Sequence, residues 1–150
     1  MFTLSNQPTP IPNRSMPPGT IIPELVYPDL AAAAAWLCAT FGFRERLRIG
    51  NHRSQIVVGS DAAIVVVQAT QPADAEAPLS DSLMVRVEHV DRHYAQVVQC
   101  GARIISPPAD YPYGERQYTV EDLAGRRWTF SQSIADVDPQ SWGGTLREGA

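Results

Sequence analysis

The chain has 150 residues, of which 44% are hydrophobic and 19% charged, a composition typical of one globular domain or of two small fused modules. Its net charge of −4 comes without a basic run, which argues against nucleic acid or an anionic membrane as a partner. We find neither a bilayer-spanning apolar stretch nor a signal-peptide pattern, and expect a cytoplasmic location. Cys38 and Cys100 lie in predicted helices without metal-type spacing, so we interpret both as small buried side chains.

Proline dominates the start of the chain. Residues 1–19 contain five prolines, and each fixes φ and lacks an N–H group. The segment is therefore predicted to be a Pro-rich arm, which is either a disordered tail or an extended segment packed on a partner.

Residues 20–71 read as a first structural module. An Ile- and Val-rich strand over 20–27 precedes a helix that Asp29 caps and that runs to about Phe41. Gly42 ends the helix, because glycine readily adopts the left-handed conformation. Three further strands are predicted near 44–49, 52–59 and 62–68.

The same order repeats after a Pro- and Ala-containing linker over 72–80. The second module, 81–133, begins with a strand over 82–88 and a helix near Asp91 that Gly101 closes. Strands at 102–106, 115–121 and 126–132 follow, with a loop at 107–114, and a tail covers 134–150.

A shift of 64 residues sets 51–68 against 115–132 and aligns Gln68 with Gln132. The repeat predicts an α+β fold of two tandem βαβββ modules, each with a helix on its outer face. Because each helix covers one face of its sheet, the other faces must be used jointly, as a shared curved mixed β-sheet cup.

Two segments carry a family resemblance: VYPDLAAAAAWLCATFGFRER in the first module, and the run from VEHVDRHYAQ to EDLAGRRWTFSQ in the second. Both resemble the vicinal-oxygen-chelate superfamily of glyoxalases, bleomycin resistance proteins and extradiol dioxygenases. That fold hosts enzymes as well as binding and resistance proteins, so the resemblance alone does not decide the activity.

The resemblance also implies where a metal would bind. The metalloenzymes of this family hold a divalent ion with side chains from four strands, and the matching positions here are Ile22, Val65, Ser82 and Thr129. Aliphatic side chains offer no donor atom and neutral hydroxyls are weak ligands. We therefore expect no metal and no other cofactor.

Other chemistries find little support. His52, His89 and His93 are interpreted as solvated residues at element starts, because the i, i+4 pair of His89 and His93 lacks a third ligand. The sequence contains neither a glycine-rich phosphate loop nor a Gly-x-Ser-x-Gly elbow.

Strand alternation assigns side chains to the cup. Leu25, Tyr27, Trp128 and Phe130 should pack toward the helices. The opposite phase gives a mostly apolar pocket with Glu24 and Arg86 as polar handles, or as a structural ion pair. The predicted ligand-binding residues are Glu24, Val65, Ser82, Met84, Arg86, Tyr111, Tyr113 and Thr129, the two tyrosines forming an aromatic rim or filling their own loop.

Three functions remain open. The first is a metal-free protein that binds a small organic molecule, for example a toxic compound that it sequesters. The second is a metal-dependent lyase, isomerase or dioxygenase of the same superfamily. The third is a cofactor-free enzyme that uses Glu24 as a base whose pKa burial would raise.

The resemblance also implies a homodimer, because two chains of this family often build the pocket jointly. The Pro-rich arm and the tail segment 138–144, with its otherwise exposed Trp142, suggest a surface that a partner covers.

Overall fold

The computed structural model describes residues 11–71 and 81–147. These residues form two βαβββ modules followed by a tail, which confirms the predicted α+β class. Module 1 comprises β1 (Glu24–Tyr27), α1 (Leu30–Phe41), β2 (Arg44–Ile49), β3 (Arg53–Val58) and β4 (Ala62–Gln68). Module 2 comprises β5 (Ser82–Arg86), α2 (Val90–Gln99), β6 (Arg103–Tyr111), β7 (Glu115–Glu121) and β8 (Arg127–Ser133). The tail contains a short 3-10 helix, Pro139–Trp142, and the predicted linker lies outside the described residues.

Each module has one mixed four-stranded sheet. The strand orders are β1-β4-β3-β2 and β5-β8-β7-β6, and in both sheets the first strand runs parallel to the last. The parallel pair arises because the helix carries the chain across the sheet before the three antiparallel strands form. In the described residues the two sheets are not hydrogen-bonded to each other.

The sequence repeat is visible in the helix starts. Asp29 caps α1 as predicted, its side chain accepting a hydrogen bond from the Ala32 amide at 3.0 Å. In module 1 Gln68 accepts from the first helical amide, Leu30, at 2.8 Å, and in module 2 Gln132 accepts from Val90 at 2.9 Å. The two aligned glutamines therefore tie the last strand of each module to its helix, satisfying an amide that has no partner within the helix.

Three element boundaries differ from the predictions. The strand expected over 20–27 begins only at Glu24, after a proline that cannot donate to the ladder. The strand expected over 82–88 ends at Arg86. The loop predicted at 107–114 is wrong in its first part, because β6 continues to Tyr111. β6 is an edge strand whose register shifts along this stretch, and an edge tolerates the prolines that misled the prediction.

A single hydrophobic core joins the two modules. The Phe41 ring at the end of α1 lies 5.4 Å from Trp128 and 4.9 Å from Phe130, both on the helix-covered side of β8. Tyr27 of β1 and Trp128 of β8 are each completely buried in the same cluster. Each module therefore contributes the helix-covered side of its sheet to this core. We call the opposite side of each sheet its open face.

A buried carboxylate also forms hydrogen bonds to both modules. Asp122, in the turn between β7 and β8, accepts from the Tyr27 hydroxyl at 2.6 Å and from the Trp128 indole N–H at 3.0 Å. Its other oxygen accepts from the backbone amides of Ala124 and Arg126 at 2.9 and 3.0 Å. Burial, together with the neighbouring carboxylate, raises the pKa of Tyr27, so the phenol stays a proton donor.

His93 also connects the two modules, and its interpretation as a solvated histidine is wrong. Its Nε2 lies 2.8 Å from the Phe41 carbonyl oxygen, which can only accept, so Nε2 carries the proton. Its Nδ1 then accepts from the Tyr118 hydroxyl at 2.6 Å. Burial lowers the pKa of His93, which favours this neutral form. The ring thus links α2 to the end of α1.

The cysteine prediction is also corrected in part. Cys100 is exposed, Cys38 is half-buried, and both are free thiols. Cys100 closes α2 on the side facing α1, with its sulfur 3.8 Å from the Ala39 carbonyl oxygen. Burial raises the pKa of the Cys38 thiol, which makes that thiol a poor nucleophile.

Candidate functional site

The predicted site residues fall on two different surfaces. Glu24 and Val65 are register neighbours on the open face of module 1. Met84 and Thr129 are register neighbours on the open face of module 2, and Arg86 pairs in register with Ser131. The strand phases are therefore as predicted, and the two sets of residues lie on two sheets that are not hydrogen-bonded to each other in the described residues.

The open face of module 2 carries a continuous hydrogen-bonded floor. The Tyr113 hydroxyl donates to Gln117 Oε1 at 3.0 Å, and Gln117 Nε2 donates to Ser131 Oγ at 3.0 Å. Ser131 Oγ in turn donates to Glu115 Oε1 at 2.6 Å. Gln117 and Ser131 are buried although they lie on the face opposite α2. Sequence reasoning missed Gln117 and Glu115, because β7 was assigned no role in the pocket.

The floor is polar and carries one anion. The Thr119 and Thr129 hydroxyls lie 3.0 Å apart, and Met84 beside them is 66% exposed. Hydrogen bonds from Ser131 and Ser133, with a contribution from the charge of Arg86, lower the pKa of Glu115. Glu115 is therefore charged at neutral pH, and its negative charge is offset by the nearby guanidinium.

An aromatic group borders this floor. The Tyr111 and Tyr113 rings stack with centroids 5.5 Å apart, and Trp142 packs on Tyr113 at 5.3 Å. The predicted aromatic rim thus gains a third ring from the tail. The tail is held against the β6–β7 turn because Ile134 N–H donates to the Gly114 carbonyl at 2.8 Å. The sequence suggested that a partner would cover Trp142, but it gave no indication of this contact with Tyr113.

The family's metal positions do not fit a metal here. Val65 has no donor atom, Thr129 is paired with Thr119, and Ser82 offers only an exposed hydroxyl. Ile22 lies before the first strand and is aliphatic. Across 11–71 and 81–147, no three His, Cys, Asp or Glu side chains are grouped so as to hold an ion. The donor set therefore gives no basis for a step that passes through a metal.

Glu24 is paired within its own sheet. Its carboxylate pairs with Arg53 on β3 and not with Arg86, the ion pair that was one of the two interpretations of these residues. Its side chain is also 59% exposed. A solvated, ion-paired carboxylate lacks the burial that the predicted catalytic base requires.

A cleft of about 350 Å³ lies between the modules, where the β3–β4 turn approaches β5. Ile64 and Trp128 line its apolar part, and Asp61 and Arg86 are its charged residues. Of the predicted ligand-binding residues only Met84 and Arg86 reach it. The cleft therefore adjoins the open face of module 2 but is not the predicted cup.

The fold and the site define a two-module α+β protein with a polar, aromatic-rimmed sheet face and no family metal ligands. The family model for the glyoxalase/bleomycin resistance protein/dioxygenase superfamily matches residues 21–130. The chain belongs to this superfamily. Within the described residues, no helix is long and apolar enough to cross a membrane.

Solved structures agree with this assignment. TioX from Micromonospora sp. ML1 is 31% identical, with 80% of this chain and 100% of that chain covered and a TM-score of 0.65. A superfamily protein from Nocardioides is 22% identical over 88% of this chain and 93% of its own, at a TM-score of 0.60. The fosfomycin resistance protein FosX from Listeria monocytogenes is 14% identical, with 78% of this chain and 94% of that chain covered and a TM-score of 0.62. At this identity the likeness shows the fold alone. No curated protein matches significantly.

Proposed function

We propose that this protein binds a small, partly apolar organic molecule without a metal ion, on the open face of module 2. The observation that carries the proposal is the floor of Tyr113, Gln117 and Ser131, in which neutral donors and acceptors are fixed in position beside exposed apolar side chains. A few positioned polar groups within an apolar surround are typical of small-molecule sites. We further propose a cytoplasmic location, with which the two free thiols are compatible.

The site chemistry favours an aromatic ligand with hydrogen-bonding groups. Tyr111 and Trp142 are exposed rings that a planar group can stack on. Glu115, the register partner of Tyr111, supplies a charged acceptor, and Arg86 on the opposite edge strand β5 supplies a donor of opposite charge. Sequestration of such a molecule requires only affinity, and this arrangement supplies affinity without a reactive group.

The alternative functions are less well supported. A metal-dependent enzyme would need ligands that Ile22, Val65, Ser82 and Thr129 do not provide. A cofactor-free enzyme based on Glu24 would need a desolvated base, whereas this carboxylate is solvated and paired with Arg53.

Ligand binding is testable by a thermal-shift screen of antibiotics and metabolites. A true ligand at 100 times its dissociation constant should add about 2.7 kcal/mol to the free energy of unfolding. Tyr111→Ala should weaken such a ligand about tenfold, the size of one aromatic contact. Leu123→Ala, at a similarly exposed residue on the β7–β8 turn, should leave affinity unchanged.

Two results would count against this function. One is a panel of hits that Tyr111→Ala and Leu123→Ala affect equally. The other is one equivalent of zinc, nickel, manganese or iron in protein purified without chelator, which would revive the metalloenzyme alternative.

We also propose a homodimer in which the open face of module 2 meets module 1 of a second copy. The edge strands β1 and β5 have no further strand partner in the described chain, and they expose Val26 and Met84. Unpaired apolar edges of this kind are usually covered. A second copy would bring Glu24, which is exposed on the edge strand β1, toward Met84 and Thr129.

Light scattering at micromolar concentration should give about twice the 16.4 kDa chain mass. Met84→Asp should shift the protein to monomer by placing a charge at the edge. Leu146→Asp, in the exposed tail, should not. A wild-type protein that is monomeric under these conditions contradicts the dimer.

A further inference from the structure

The open face of module 1 is covered, although it lies on the side of the sheet away from α1. Gln55 pairs in register with Val65, and Val57 with Ala63, so all four point to this face. All four are buried, with exposures of 5, 5, 8 and 2%. The helix and the core that α1 covers lie on the other side, so another segment must shield these side chains from water.

The N-terminal arm is that segment. Gln55 Nε2 donates to the Ser15 carbonyl at 2.8 Å, and the Arg46 guanidinium donates to the Arg14 carbonyl. Arg46 also donates to Gln55 Oε1, which fixes the orientation of the amide. Farther along the arm Gly19 lies beside Ala62 at the start of β4. The Pro-rich segment therefore runs across the open face of module 1.

The arm is held through its backbone rather than through large side chains. Ile11 and Met16 are 90% and 54% exposed and bury little apolar surface, whereas Pro17 is buried. A turn shapes the segment, with the Met16 amide donating to the Asn13 carbonyl at 3.1 Å. Two carbonyl acceptors and one proline ring thus carry the recognition, and any peptide-like segment could supply them.

We propose that the open face of module 1 is a binding site for an extended, carbonyl-bearing ligand of peptide-like chemistry, and that the chain's own arm fills it. Gln55 and Arg46 are the carbonyl donors, and Val57, Ala63 and Val65 are the apolar wall. The site is separate from the one proposed on module 2. TioX is fully covered by a match that spans 80% of this chain, so this chain extends beyond the fold the two share.

The experiment uses the full-length chain and a fluorescent synthetic peptide of residues 11–19, IPNRSMPPG. Pro17→Asp should release the arm, because it places a charge at a buried position of the arm. Ile11→Asp makes a similar charge change at an exposed arm residue and should not release it. Fluorescence anisotropy should then show saturable binding of the peptide to the Pro17→Asp protein.

Wild type and Ile11→Asp should bind the peptide at least tenfold more weakly, because a tethered segment competes at a millimolar effective concentration. Adding Gln55→Leu to Pro17→Asp should abolish binding. Equal binding to wild type and Pro17→Asp, or binding to neither, overturns the proposal. The thermal-shift hits assigned to module 2 through Tyr111→Ala are a separate readout, so either proposal can fail alone.

A second measurement follows the arm without any ligand. Val65→Cys, with Cys38 and Cys100 both replaced by serine, places a reporter thiol on the wall. Its reaction with a thiol reagent should be at least tenfold faster with Pro17→Asp than with Ile11→Asp, while circular dichroism stays native. No acceleration in a folded protein would show that the arm does not shield this face, and the proposal would be withdrawn.

Discussion

Replacing Trp128 by Glu should unfold the protein, whereas Thr129→Glu, one residue along the same strand, should leave it folded. Trp128 is completely buried, and its ring lies 5.4 and 5.6 Å from those of Phe41 and Phe43. Losing a buried tryptophan costs about 3–5 kcal/mol. The new carboxylate would also lie unpaired in the core and beside Asp122. Together these costs approach the whole stability of a small domain, about 5–15 kcal/mol.

Thr129 has a different environment because the strand turns alternate side chains to opposite faces. It is half-buried on the open face of module 2, where a carboxylate can be hydrated. The change loses one hydrogen bond to Thr119, worth about 0.5–1.5 kcal/mol. Urea midpoints of the two variants measure the difference. A stable Trp128→Glu with an unfolded Thr129→Glu would reverse the strand phase and remove the argument about metal positions.

The sequence was sufficient to predict which strand side chains face the helices. Side chains along a strand alternate between its two faces, and one of those faces is apolar. Leu25, Tyr27, Trp128 and Phe130 were assigned to the helix-covered side, and all four are buried there. The helix caps were equally accessible, since Asp29 and Gly42 act through local backbone geometry.

How the two modules pack on each other could not be predicted from the sequence. The Phe41–Trp128 contact and the His93–Phe41 hydrogen bond join residues far apart in the chain that have no sequence pattern in common. His93 has the same local sequence signal as a solvated histidine, and only the burial around it distinguishes the two. The same holds for Glu24, whose partner Arg53 follows from strand register rather than from spacing.

For the same reason, only part of the candidate site could be predicted. Met84, Arg86 and Thr129 were found through alternation along β5 and β8. Gln117 was missed because its position in the floor depends on hydrogen bonds to two other segments, at Tyr113 and Ser131. The arm was left between two interpretations, since proline restricts conformation without choosing a surface.

The turn EDLAG belongs to the second segment of family resemblance, and it contains Asp122, whose replacement should have the second large effect. Asp122→Ala should destabilise the protein by about 3–5 kcal/mol. The substitution leaves the Tyr27 hydroxyl and the Trp128 indole N–H buried without their acceptor. Each buried unsatisfied donor costs about 1–3 kcal/mol, and the two turn amides lose their acceptor as well.

Asp138→Ala is the matched control, because that aspartate caps the tail 3-10 helix with one exposed bond to the Gln140 amide at 3.1 Å. It should cost no more than about 1 kcal/mol. Tyr27→Phe should cost about 0.5–1.5 kcal/mol alone and much less in the Asp122→Ala background, since the donor it removes is by then already unpaired. Urea unfolding of wild type, Asp122→Ala, Tyr27→Phe and the double variant measures this coupling. An Asp122→Ala cost no larger than that of Asp138→Ala would mean that the carboxylate does not hold the modules together, and that apolar packing around Phe41 and Trp128 is sufficient.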